Sequence, residues 1–324
     1  MGWDMSLLQD QCARTLEQTD LSGKGVERIG GKVRDNYKKG DRRAIVVTDR
    51  VSAFDVVIGT VPFKGQVLNQ MAAFWFEQMK HVAPNHLIDL PDPNVSIVRE
   101  CKVLPVEFVF RGYLTGASPT SIWTAYARGE REYCGHRLPE GLRKHEPLPE
   151  PLLTPTTKAE KGAHDELISR EELIQRGAIT ADLYDRAAAL CARLFKAGTE
   201  LAAARGLILV DTKYEIGLDA AGELCVIDEI HTPDSSRYWF ESSYASSLSE
   251  GADPKSLDKE YVRRWLIAEG YSGKGAPPKL PDEVRCEAAR RYIETFEIMT
   301  GRGFEPDTEE PHARLRRNLA SFFA

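Results

Sequence analysis

The chain has 324 residues, 42% hydrophobic and 28% charged, and its 43 Lys and Arg against 49 Asp and Glu give a formal charge of −6. This composition excludes a disordered chain and a small stapled scaffold, and it argues against a nucleic-acid partner held by bulk charge. No apolar run approaches the roughly 18 residues of a membrane helix, and Met1-Gly2-Trp3-Asp4 lacks the basic-then-apolar layout of a secretory signal. The six cysteines are scattered without a Cys-x-x-Cys pair, which points to reduced thiols and the cytoplasm rather than structural zinc.

In chain order, Gly30-Gly31-Lys32-Val33-Arg34 comes first. Its glycines allow close approach to a polyphosphate and its cations add charge, although an ordinary basic turn has the same composition. Residues 44–48 (Ala-Ile-Val-Val-Thr) read as a strand running into a polar loop, Asp49-Arg50-Val51-Ser52-Ala53-Phe54-Asp55. Residues 66–79 are dense in Leu, Met, Phe and Trp and long enough for a buried helix. Residues 106–110 read as a second strand, ending at a loop that begins Arg111-Gly112 and includes Ser118 and Ser121. The stretch between Pro139 and Pro155 is proline-rich and reads as an ordered loop or lid. Thr156, Thr157, Lys158, Lys161 and His164 follow it, and His164 reads as a structural or surface histidine. Ser169-x-x-Glu172 is a capping box. Residues 182–205 carry a 3.6-residue apolar period stopped by Gly206. Asp282–Met299, stopped by Gly301, is a second amphipathic helix within helical C-terminal cladding. Early strands, a central hairpin and late helices indicate an α+β fold.

The most informative segment is 207–230, two β-rich runs flanking a turn with Gly222. Period two places Asp211, Lys213 and Glu215 on one face. A turn centred near Ala220-Ala221 sets Lys213 opposite Asp228 and Glu215 diagonal to it, within reach of a shared divalent cation. A one-residue slip breaks that register. Asp234-Ser235-Ser236-Arg237 then supplies hydroxyls and a guanidinium, which are phosphate-binding groups.

The segments Gly31-Lys-Val-Arg-Asp-Asn-Tyr37, Asp49-Arg-Val-Ser-Ala-Phe-Asp55, Gly65-Gln-Val-Leu-Asn69, Arg111-Gly-Tyr-Leu-Thr-Gly116, Thr154-Pro-Thr-Thr-Lys158, Asp211-Thr-Lys-Tyr-Glu-Ile-Gly217 and Asp228-Glu-Ile-His-Thr-Pro-Asp-Ser-Ser-Arg237 occur in that order. Together they make the chain resemble the SAICAR synthetases (phosphoribosylaminoimidazole-succinocarboxamide synthases) of the longer bacterial and fungal type. The resemblance implies an ATP-grasp-related α+β fold. A small antiparallel ATP-binding lobe, 1–110, would cover a larger lobe, 111–324, that carries the metal and substrate sites. It implies ATP-dependent ligation of L-aspartate to carboxyaminoimidazole ribonucleotide through an acyl phosphate. The products are SAICAR, ADP and phosphate, a step of de novo purine synthesis, with Mg2+ as cofactor. Partners would be these small molecules, with no nucleic acid and no membrane, and the oligomeric state stays open.

By the same resemblance, Gly31 and Lys32 lie over the ATP phosphates, Lys102 to Glu107 hold adenine, and Glu215 and Asp228 hold magnesium. Asp211, Lys213 and Lys158 lie around the reacting groups, and Arg34 points toward the nucleotide's carboxylate. Asp49, Ser52 and Asp55 lie near the aspartate pocket. Arg111, Ser236 and Arg237 cradle the ribonucleotide 5′-phosphate, joined by Ser118 in preference to Ser121, and Asp234 lies on the substrate side. A small-molecule kinase on the same scaffold and a catalytically silent nucleotide-binding module are the competing readings.

Overall fold

The computed structural model describes residues 3–54, 56–118, 120–158, 166–257 and 260–324. Asp55, Lys161 and His164 lie outside the described residues. After α1 (Met5–Gln11) come β1 (Glu27–Gly30), β2 (Arg34–Lys39) and β3 (Arg42–Val47). A separate hairpin, β4 (Arg50–Ala53) with β5 (Val56–Thr60), leads into α2 (Lys64–Met79). Strands β6 (Leu87–Asp92) and β7 (Val95–Arg99) then return to the first sheet, giving the antiparallel order β1-β2-β3-β7-β6. The expected strand at 44–48 is β3, and the expected helix at 66–79 is α2, buried at Val67, Leu68, Met71 and Trp75. The β3 run is apolar without alternation because both faces are covered. Ile45 and Val47 join the core built on α2, while Ala44 and Val46 pack with Leu315 and Leu319 from the C-terminus.

The second sheet begins with β8 (Lys102–Tyr113). Then follow α3 (Ile122–Ala127), the small hairpin β9 (Glu132–Tyr133) with β10 (His136–Arg137), β11 (Pro147–Leu153) and β12 (Thr156–Thr157). The chain continues through α4 (Arg170–Gln175), α5 (Ala181–Ala203), β13 (Leu207–Leu218), β14 (Leu224–Ile227) and β15 (Ser236–Phe240). The order is β11-β8-β13-β14, with β12 also on β8 and β15 also on β13. The capping box at Ser169 opens α4 as expected.

Three expectations are corrected here. Arg111 lies inside β8, not in a loop beyond it, because pairing with β13 continues to Asp211. The proline-rich stretch is not a lid throughout: Pro147–Leu153 is β11, an edge strand, where a missing N–H costs no ladder bond on the open side. The division at 110/111 cuts β8, which belongs to the second sheet from Lys102 onward.

The remaining helices are α6 (Glu241–Glu250), α7 (Glu260–Ala268), α8 (Asp282–Thr300), α9 (Pro311–Asn318) and α10 (Ala320–Phe323). Helix α6 packs on β15 of the second sheet, α8 on α1 and α2, and α9 on β6 of the first sheet, so the C-terminal helices clad both halves. The two sheets meet where β14's open edge takes the chain just before β6. There His86 N–H donates to Val226 O (3.1 Å) and Val226 N–H to Pro84 O (2.9 Å).

Candidate active site

Strand β13 divides its side chains as period two requires. Tyr214 and Ile216 enter the core, while Asp211, Lys213 and Glu215 line the opposite face. Asp211 sits directly between two arginines, paired in register with Arg111 on β8 and Arg237 on β15. It accepts from Arg237 Nε (2.9 Å) and Nη2 and from Arg111 Nη1 (3.3 Å), and Arg111 Nε also donates to Thr154 Oγ1 (2.8 Å). Burial pushes the Asp211 carboxyl up, but the two guanidinium groups outweigh it and hold it below the usual carboxylate range. Two cations against one anion leave this row positive. A cavity of about 260 Å³ opens over it, lined also by Ser118, Asp234, Ser236 and Arg263.

One step along the sheet, Lys213 Nζ donates to Glu107 Oε1 (2.6 Å) and Glu215 Oε1 (2.8 Å). Glu215 Oε2 takes Lys158, and Glu107 Oε2 takes the Thr156 hydroxyl (3.1 Å). Desolvation pulls the Lys213 ammonium down, but Glu215, Glu107 and Asp228 more than offset it, so the group stays charged. Burial likewise pushes Glu215 up, and Lys213 and Lys158 reverse it, holding the carboxylate ionised. A third of the Lys213 side chain remains exposed, toward the same cavity.

The hairpin register is shifted by one residue from the expectation. Glu215 pairs with Ile227, so Lys213 is not opposite Asp228. Pairing stops at Ile227, and Asp228 adopts φ +67°. This left-handed turn takes Asp228 off the strand and delivers its carboxylate to Arg34 Nη1, while Arg34 Nη2 reaches Glu229 (2.6 Å). Asp228 still belongs to the electrostatic surroundings of Lys213. Strand alternation therefore brings Glu215 to Lys213, and a backbone turn, not strand pairing, brings Asp228 near the same lysine.

Other expected residues distribute as follows. Gly31 donates to Arg34 O (2.8 Å) in the β1–β2 turn, and a Cβ there would lie 2.8 Å from that oxygen, so only glycine fits; Lys32 follows, exposed. Lys102 opens β8, exposed. Asp49 is not a cavity residue. It is buried and accepts the N–H of Leu16 (2.7 Å) and Gly65 (2.8 Å), and desolvation raises its carboxyl to about 6. Ser52 lies in the β4–β5 hairpin, apart from the cavity lining. The Ser236 hydroxyl donates to Thr212 Oγ1 (2.8 Å), so it is engaged within the sheet. Ser118 and Ser121 both line the cavity, but Ser121 also caps α3 by accepting from Thr124 N–H. Sequence reasoning named Thr156 without giving it a role and missed Glu229, Arg263 and Lys64, the last fully buried against Asp234. Nothing local in the sequence marks Lys64, since the helix it heads also carries Gln66, Asn69, Gln70 and Glu77.

The SAICAR synthetase family model matches residues 27–278. That span includes every residue lining the cavity and both charge clusters beside it. The chain belongs to the SAICAR synthetase family. Among SAICAR synthetase relatives, the phosphoribosylaminoimidazole-succinocarboxamide synthase of Legionella pneumophila is 47% identical over 280 residues, covering 86% of this chain and 89% of that one. The one from Bacteroides thetaiotaomicron is 44% identical over 317 residues, covering 96% and 99%. The solved SAICAR synthase of Saccharomyces cerevisiae, in complex with SAICAR, superposes with a TM-score of 0.77 at 30% identity over 90% of this chain and all of that one. Among the described residues no helix is long and apolar enough to cross a membrane.

Proposed function

We propose that the face made by β8, β13 and β15 binds both the aminoimidazole ribonucleotide and the ATP phosphates of a SAICAR synthase. The enzyme is an ATP-dependent ligase that joins the amine of L-aspartate to the carboxylate of carboxyaminoimidazole ribonucleotide. A carboxylate resists amines because its leaving group would be oxide. Transfer of the γ-phosphoryl group from ATP makes an acyl phosphate, and the aspartate amine then displaces phosphate to form the amide. Nothing in this scheme requires covalent participation by the protein. Its work is alignment and charge neutralisation.

The observation that carries the reading is the juxtaposition of two charge clusters on one sheet. The Arg111–Asp211–Arg237 row, net positive beside a cavity, suits the ribonucleotide 5′-phosphate. The adjacent Lys213–Glu107–Glu215–Lys158 cluster suits the transferring phosphoryl group. The Gly31–Lys32 turn reaches over the phosphates, and the start of β8 from Lys102 offers backbone groups to adenine. Glu215 and Asp228 are oxygen donors of the kind Mg2+ takes in ones and twos, the rest of its shell being phosphate and water. Among the described residues no group of three or more His, Cys, Asp or Glu forms a cage by itself. Bound there, Mg2+ would neutralise phosphoryl oxygens. We place the enzyme in the cytoplasm, in keeping with six cysteines that all remain thiols.

Product analysis tests the assignment. ATP turnover should need both aspartate and the aminoimidazole carboxylate, with one ADP and one amide per cycle. Aspartate-independent phosphate transfer to a hydroxyl acceptor would favour the kinase. For the cavity, Arg237→Lys should raise the ribonucleotide KM, because a point charge replaces a bidentate fork; an unchanged KM rejects the phosphate assignment.

A further inference from the structure

Lys64 has no surface exposed, a rare placement for a lysine. It heads α2, and its Nζ donates to Asp234 Oδ2 (2.6 Å). From α8, the Tyr292 hydroxyl donates to Asp234 Oδ1 (2.7 Å), and Lys64 Nζ lies 5.5 Å from the Tyr292 ring centroid. Asp234 is thus gripped through both oxygens by two helices that pack on each other. A buried ion pair adds little to stability over an apolar pair of the same volume. What this one supplies is a fixed point.

That fixed point lies in the wall of the cavity. Asp234 is in the connection between β14 and β15, which begins with Asp228 and Glu229 and leads directly into Ser236 and Arg237 at the start of β15. The connection is folded tightly on itself: Ser236 N–H donates to Thr232 O (2.9 Å), and Thr232 Oγ1 donates to Glu229 Oε2 (2.7 Å). Moving Asp234 therefore moves the groups on either side of it. The head of α2 is itself held, since Gly65 N–H donates to Asp49. Asp49 reaches the cavity through Gly65, Lys64 and Asp234 rather than by touching it.

We infer that Lys64 and Tyr292 are positioning residues for ribonucleotide binding, setting through Asp234 the placement of Ser236 and Arg237. The inference rests on the proposal that this cavity takes the ribonucleotide.

The test is steady-state kinetics with thermal melting on Lys64→Met, which keeps the length and removes the charge, and on Tyr292→Phe, which removes one hydroxyl. The expected result is a ribonucleotide KM raised roughly tenfold in Lys64→Met and about threefold in Tyr292→Phe, with the ATP KM within about twofold. The double variant should fall short of the product of the two effects, because both act through one carboxylate. An unchanged ribonucleotide KM in Tyr292→Phe, or an ATP KM that rises equally, overturns the inference. If Lys64→Met does not fold, Tyr292→Phe alone decides. Arg237→Lys in the same assay separates the two levels. If it leaves the ribonucleotide KM unchanged, the cavity assignment falls and the positioning role with it. If it weakens binding while Tyr292→Phe does not, only the positioning role falls.

Discussion

Replacing Gly198 by alanine should destabilise the protein, although alanine in a helix interior is normally the better residue by about 1 kcal/mol. Gly198 lies in α5, and a Cβ there would sit 2.3 Å from Cε1 of His231 and 2.8 Å from both ring nitrogens. Carbon contacts rest at about 3.5–4.0 Å, so the ring must retreat by roughly 1 Å or more. It has nowhere to go: His231 is fully buried, the Trp75 ring lies edge-on at 4.5 Å, and the Tyr214 hydroxyl bonds Nε2 at 2.6 Å. Overpacking of this kind costs about 1–3 kcal/mol, and loss of the Tyr214 bond about 1 more. Set against the helix gain, the net is about 1–3 kcal/mol of lost stability, which lowers Tm by roughly 1–5 °C in a chain of this size. Calorimetry measures it. Because His231 stands three residues before Asp234, the ribonucleotide KM should rise as well. A Tm equal to or above that of the unsubstituted protein would refute the reasoning.

Other outcomes follow from the same geometry. Asp228→Ala and Glu215→Ala should each reduce turnover by about a hundredfold or more at saturating magnesium. Asp228→Ala should melt near the parent, since Arg34 keeps Glu229, whereas Glu215→Ala should melt lower, because Lys213 is left with one fewer anion. Near-normal turnover in either variant rejects the metal assignment. Asp49→Asn should cost about 1–3 kcal/mol while leaving the aspartate KM within about twofold, because one of two backbone N–H groups then faces an amide NH2; a large KM change with intact stability would restore Asp49 to the substrate. On acidification, burial holds His86 at about 4 and His231 at about 3, down from 6.5. The unfolded chain therefore binds more protons below pH 6.5, and stability is lost as pH falls toward those values. Asp49, raised to about 6, works in the opposite sense over a narrower window, so Tm should fall between pH 6.5 and 4. A constant or rising Tm over that range would contradict the burial of the two rings.

Patterns that depend only on neighbours along the chain were legible in the sequence. The apolar density of α2, the helical period of α5 and α8 with glycine stops, and the capping box at Ser169 all follow from local geometry. So does the common face of Asp211, Lys213 and Glu215, since strand alternation requires no partner. The motifs gave the family because the reacting groups cluster in short segments. Tertiary structure decided the rest. Register cannot be read from a hairpin whose turn is ambiguous by one residue, and Asp228 reaches its neighbours only through a left-handed backbone turn. The prolines of β11 suggest a loop until β8 is seen to offer an edge. Asp49 and Lys64 look like surface polar residues in sequence. They are buried because distant segments, the Leu16 and Gly65 amides for one and Asp234 for the other, satisfy their charge where water cannot.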